Sequence, residues 1–252
     1  MHSEDYATFG IELITGKRPA QGQIKAALFD FDGTLSTLRY GWVEVMRPLM
    51  LEMIDGENGL ANPLLQTEVD AYIDESTGIQ TVYQMRWLAE QVAARRGAEA
   101  ARDEWWYKDE YNRRLMREVG KRLDKLESGE HTAGRYLVAG SVEFLSALRE
   151  RGVAIYVASG TDHADVVNEV AALGLDGYFN LVMGAPERKA ACSKETVIRT
   201  ILEEKGCDGS QLVLIGDGKV EISLGRKTAH LPWGWPATKS AARGLIKQRG
   251  SV

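Results

Sequence analysis

The sequence predicts an α/β fold: a doubly wound parallel sheet with an inserted helical cap. Three observations carry this. Apolar runs of strand length alternate with helical stretches from residue 140 onward. A further apolar run, "IKAALFDF" at 24–31, stands far ahead of them and ends in carboxylates. Between the two lie residues 36–134, which are rich in helical periodicity and poor in strand-like runs. Strands alternating with helices imply right-handed crossovers and parallel pairing, with strands buried on both faces and therefore continuously apolar.

Taken in order, residues 1–23 read as an amino-terminal arm punctuated by glycine and proline, with a short strand at 11–14. The first strand of the core follows. In the insert, "GWVEVMRPLMLEMI" spaces Val43, Met46, Met50 and Met53 helically, and the methionines read as core. "TVYQMRWLAEQVAARRG" does the same with Val82, Met85, Leu88 and Val92, stopping at Gly97. The charged segment 98–127 favours a long helix. Its run of Trp105, Trp106 and Tyr107 cannot be all core, because successive helix positions point in different directions.

The second part of the core, 135–252, reads helix ("GSVEFLSALRERG"), strand ("VAIYVASG"), helix ("DHADVVNEVAALG"), strand ("FNLVMG"), helix ("SKETVIRTILEEKG") and strand ("QLVLIGDG"). Thr161 and Asp162 read as caps of the helix after them. Residues 226–252 should continue the sheet but offer no clean strand, with Pro232 and Pro236 around Trp233 and Trp235. The core is thus expected at 24–35 and 135–252, with the cap at 36–134.

Composition narrows the function. The 252 residues are 44% hydrophobic and 27% charged, as in an ordinary globular protein. A net charge of −5 argues against a nucleic-acid partner, which usually meets a basic stripe. No run approaches the ~18 apolar residues of a membrane span, and the first residues hold no apolar signal core. Cys192 and Cys207 form no CxxC or zinc pattern and read as free thiols of a reducing, cytoplasmic compartment. His131, His163 and His230 show no metal-ligand spacing. A monomer or a homodimer fits equally.

The chemistry gathers at the strand ends, where sites of open α/β sheets lie. Asp30 and Asp32 close the first strand, Ser159 the second and Asp217 the last, while Lys194 opens a helix. Two carboxylates so close in an apolar setting need a partner or a cation. Magnesium asks for one or two carboxylates and keeps several waters, and Asp30 and Asp217 can supply that charge. A carboxylate can attack phosphorus, which makes Asp30 the candidate nucleophile. Asp32 can protonate the leaving oxygen and then activate water. Ser159, with the amides around Gly160 and the Gly33–Thr34 turn, can hold a phosphate, and Lys194 can balance its charge. Lys189 is the rival for that last role.

This set resembles the haloacid dehalogenase superfamily. Its DxDGT motif is present as Asp30-Phe31-Asp32-Gly33-Thr34, its second motif as "IYVASGT" with Ser159, its lysine as Lys194 in "CSKETVI", and its acidic turn as "LVLIGDGKVE" with Asp217 and Glu221. The resemblance spans 24–225 and places the insert where phosphoglycolate phosphatase and β-phosphoglucomutase-like members carry a helical cap. It implies magnesium held by the Asp30 carboxylate, the Asp32 carbonyl and Asp217. It assigns nucleophile and acid/base to Asp30 and Asp32. The family often has Asp where this chain has Glu221, which implies a water-mediated metal contact or a grip on Lys194 instead. Dehalogenating members lack a carboxylate at the position of Asp32, so phosphate-ester chemistry is expected.

The expectation is therefore a magnesium-dependent phosphatase for a small sugar phosphate or phosphoglycolate-like ester. A phosphomutase and a non-catalytic binding module with an incomplete carboxy-terminal core are the alternatives. Arg39 and Trp42 follow the first motif closely and are candidates to meet the substrate, against a role in hinge and cap packing.

Overall fold

The computed structural model describes residues 22–190, 193–227 and 231–234, the last of these by their backbone. Among the described residues, five parallel strands form one sheet: β1 (Ala26–Phe29), β2 (Ala154–Asp162), β3 (Leu181–Ala185), β4 (Leu212–Gly216) and β5 (Leu231–Gly234). Their spatial order is β3-β2-β1-β4-β5. The chain grows from β1 first to one side and then to the other, so the topological switch point falls between β1 and β4. Pairing is in register: Phe29 lies beside Val157 on one flank and Ile215 on the other.

Both faces of the sheet are covered. Phe29, Phe31, Leu35, Val157, Val166 and Val170 pack on one side, and Leu28, Tyr156, Val197, Ile201 and Leu214 on the other. This is why β1 is apolar at every position rather than at alternate ones. The helices that cover it include α5 (Ser141–Glu150), α6 (His163–Ala172), α7 (Ser193–Lys205) and α8 (Lys219–Lys227).

Between β1 and α5 run α1 (Trp42–Asp55), α2 (Pro63–Glu75), α3 (Thr81–Arg96) and α4 (Glu104–Glu127). They close a core of their own around Met46, Met50, Leu65, Val69, Met85, Leu88, Tyr111 and Leu115. Along α4, Tyr107, Tyr111, Leu115 and Val119 are buried at every fourth position, while Trp106 is exposed. Asp103 caps α4, accepting from the backbone N–H groups of Trp105 and Trp106 at 2.9 Å. Met53 and Trp42 are half-buried against this same cap core.

Three features depart from the sequence reading. Helix α2 was not expected, although Asn62 caps it through a bond from the Leu65 N–H and Pro63 opens it. Helix α8 begins directly after the acidic turn. Residues 231–234 form a fifth strand despite Pro232, which is tolerated because β5 is the outermost of the described strands. The amino-terminal arm through residue 21, with its expected strand at 11–14, Cys192, His230 and the chain from 235 onward lie outside the described residues. Cys207 is buried and forms no disulfide among the described residues.

Candidate active site

The site begins where β1 stops. The Asp30 N–H donates to the Ile215 carbonyl at 2.8 Å, which holds Asp30 at the switch point. The chain then folds back on itself, with the N–H groups of Leu35 and Ser36 donating to the Phe31 carbonyl and that of Gly33 to Ser36. Gly33 takes φ +76°, and a Cβ there would lie 2.2 Å from Asp217 Oδ2. Only glycine gives Asp217 room to approach the Asp30–Asp32 turn.

Asp30 is buried. Its Oδ1 accepts from the Phe31 N–H at 2.9 Å, and its Oδ2 lies 3.1 Å from Lys194 Nζ. Burial pushes the Asp30 carboxyl well above the ordinary range; Lys194 opposes this, while Glu221, Asp217 and Asp32 add to it. Asp217 is pushed up to about 6, chiefly by burial and then by Glu221, again against Lys194. Lys194 is equally buried, yet Asp30 and Glu221 outweigh the cost of burial and hold it firmly protonated. Its second partner is Glu221, which contacts Lys194 Nζ through Oε1. Lys189, the rival cation, is exposed.

Asp32 turns the other way. Its Oδ2 accepts from Thr161 Oγ1 at 2.8 Å and from Ser159 Oγ at 3.2 Å. Ser159 Oγ in turn accepts from the Thr161 N–H at 3.0 Å. Thr161 thus serves Asp32 rather than capping α6. Asp162 makes no cap bond either; it accepts from Lys108 and from Asn112 Nδ2 (2.8 Å) on α4.

The loop between α2 and α3 lies across the strand ends. A Cβ on Gly160 would come within 2.9 Å of the Ile79 carbonyl oxygen, and one on Gly78 would meet Val220 at 3.3 Å. Lys219 reaches Asp74 of α2 at 3.2 Å, and Arg188 reaches Asp109 of α4 at 2.8 Å. The site is therefore roofed by the cap.

The sequence candidates Asp30, Asp32, Gly33, Ser159, Gly160, Lys194, Asp217 and Glu221 converge here, and Thr34 is buried in the same turn with an unbonded hydroxyl. Arg39 is present beside Asp32 but is paired with Glu169 and Asp165, not left open toward a substrate. Trp42 packs in the cap. The sequence gives Thr161 only a capping role, and it does not single out Lys108, Asn112 or Glu169. Thr161 was within reach of the pattern, since residues two apart on a strand share a face.

Does the donor set suit a metal? Among the described residues, no three His, Cys, Asp or Glu side chains form a cage. Magnesium does not require one, because it takes one or two carboxylates and completes its shell with water and phosphate oxygens. Glu221 Oε2 is buried without a hydrogen-bond partner, and the mutual repulsion of Asp30, Asp217 and Glu221 is what a hard cation would relieve. The residues fit.

Solved structures share the fold. A β-phosphoglucomutase from Clostridium difficile matches with a TM-score of 0.58 at 14% identity, covering 84% of each chain. A predicted phosphatase from Clostridium acetobutylicum gives 0.59 at 17% identity, over 90% of this chain and 91% of that one. A predicted phosphoglycolate phosphatase from Haemophilus somnus gives 0.56 at 16%, over 90% and 98%. No curated protein matches in sequence. A family model described as haloacid dehalogenase-like hydrolase matches residues 24–227, from the first strand through α8 and so across every motif of the site. The chain belongs to the haloacid dehalogenase-like hydrolase family.

Proposed function

We propose that the protein is a magnesium-dependent phosphatase that hydrolyses a small phosphate ester through an aspartyl-phosphate on Asp30. The observation that carries the reading is the division of labour between two carboxylates two residues apart. Asp30 lies against a buried ammonium, 3.1 Å from Lys194, whereas Asp32 is held by two hydroxyls on the neighbouring strand. Asp30 Oδ attacks phosphorus, and the bond from phosphorus to the ester oxygen breaks. Asp32 gives its proton to that oxygen, so the leaving group departs as a neutral alcohol. Asp32 then takes a proton from water as the water attacks phosphorus, which releases phosphate and restores the Asp30 carboxylate. Ser159, the amides around Gly160, the Gly33–Thr34 turn and Lys194 would hold the transferring oxygens.

Magnesium, held by the Asp30 carboxylate, the Asp32 carbonyl and Asp217, would neutralise phosphate charge. The close approach of the roof at Ile79 to Gly160 favours a small substrate, such as a sugar phosphate or a phosphoglycolate-like ester. The first half-reaction is shared with phosphomutases, and the Clostridium difficile fold neighbour carries that name.

The test is phosphate release from a panel of sugar and small-acid phosphates, with and without magnesium, by the natural chain and by Asp30→Asn. Magnesium-dependent release that Asp30→Asn abolishes supports the reading. Undiminished release by a folded Asp30→Asn protein overturns it. Phosphorus NMR of the products separates free phosphate from a transferred phosphoryl group.

A further inference from the structure

Arg39 lies between the Asp32 turn and α1, and is 6% exposed. Its Nε donates to Glu169 Oε1 at 2.9 Å, and its Nη2 lies 2.7 Å from the same oxygen and 2.9 Å from Asp165 Oδ2. On the other flank, Nε stands 4.0 Å from Asp32 Oδ1, a buried oxygen with no hydrogen bond of its own. Glu169 is 1% exposed and sits on the face of α6 that otherwise presents Val166 and Val170 to the core.

Stability alone does not account for this cluster. Taking a guanidinium and a carboxylate out of water is costly, and apolar residues of the same volume often do as well or better. What the pair does instead is hold a fixed positive charge against one side of Asp32. The other side is already held by Thr161 and Ser159.

The geometry points to Arg39 as a positioning residue for Asp32, itself held in place by Glu169 from α6. The guanidinium steadies the Oδ1 side of the carboxylate while the hydroxyls hold Oδ2, so that the Asp32 proton is aimed at the leaving oxygen. This rests on the reading of Asp32 as the acid/base. It adds two residues, 130 apart in sequence, to the support of the reaction.

The dependence on leaving group tests it. p-Nitrophenol departs without needing much protonation, whereas the glycerol oxygen of glycerol 3-phosphate does need it. Hydrolysis of both esters is measured for the natural chain, Arg39→Met, Arg39→Lys and the double variant Arg39→Met/Glu169→Met. A crystal structure of Arg39→Met is solved alongside. The expected result is a kcat loss on glycerol 3-phosphate at least tenfold larger than on p-nitrophenyl phosphate, with KM within threefold and partial recovery in Arg39→Lys. In the double variant, which removes both members of the buried Arg39–Glu169 pair together, Tm should return toward that of the natural chain while the alkyl-ester kcat stays low.

Equal losses on both esters, or kcat recovering together with Tm in the double variant, would overturn the inference. If the natural chain hydrolyses neither ester, neither is its substrate, and the phosphatase reading is decided by the wider panel. The crystal structure then decides the inference separately: a displaced Asp32 side chain supports it, and an unmoved one refutes it.

Discussion

Replacing Lys194 by methionine tests the electrostatics of the site at its centre. Asp30 Oδ2 lies 3.1 Å from the ammonium, and Glu221 contacts it as well. At an effective dielectric constant of about 20, one unit-charge pair at that distance is worth about 5 kcal/mol before the cost of desolvation. Breaking a buried pair by removing one partner typically costs about 3–5 kcal/mol. For a chain of this size, each kcal/mol moves Tm by about 2–4 °C, so Lys194→Met should melt about 6–20 °C lower. The loss should also depend on pH. Asp30 and Asp217 already titrate high in the folded chain, and the ammonium is what opposes that rise. Without it, the native state holds protons that the unfolded chain releases above its ordinary carboxylate pKa. Stability of the variant therefore falls as pH rises, and its deficit is smallest in acid. Thermal melts of both proteins from pH 4.5 to 8 measure this. A deficit under about 1 kcal/mol, or one constant across that range, would refute the reasoning.

Three further perturbations probe the surroundings. Gly160→Ala places a Cβ 2.9 Å from the Ile79 carbonyl without demanding an unusual backbone. It should prop the roof away from the strand end and lower kcat/KM by about tenfold or more while Tm stays within a few degrees; a natural kcat/KM would count against a roof that must close this tightly. Thr161→Val keeps shape but removes the 2.8 Å donor to Asp32, so kcat should fall with a stability cost of only about 0.5–1.5 kcal/mol, checked by steady-state kinetics and urea unfolding. Burial pushes the Glu169 carboxyl up from an ordinary 4.5 to about 7, against the pull of Arg39. Between those values the folded chain binds the extra proton, so stability falls as pH rises through that window, and Glu169→Gln should flatten the slope in Tm-against-pH curves.

How much of this was legible in the sequence follows from how local each signal is. The Asp30–Asp32 turn is written in five consecutive residues, and β1 in a run that is apolar because both faces of the sheet are covered. The choice of Lys194 over Lys189 was readable from its place at a helix start; Lys194 is buried beside Asp30, and Lys189 is exposed. Strand β5 was hidden by Pro232, because only its outermost place among the described strands makes a proline acceptable there, and that place is a property of the whole sheet. Helix α2 was passed over despite its Asn62-Pro63 start, since its polar residues dilute the periodic signal. The contacts of Arg39 with Glu169 and of Lys108 with Asp162 join residues 130 and 54 positions apart. Glu169 left one local trace, an acid within the Val166–Val170 stripe, but its partner emerges only when α6 docks beside the turn.

The most direct test of the central claim is to trap the covalent intermediate. The chain is mixed with magnesium and a phosphate ester that it turns over, quenched in acid, and reduced with borohydride. An aspartyl-phosphate at Asp30 would be converted to homoserine at that position and read by peptide mass spectrometry. The account predicts homoserine at 30, dependent on substrate and absent when the ester is omitted. Turnover with residue 30 left as aspartate under conditions that trap a control acyl phosphate would contradict it.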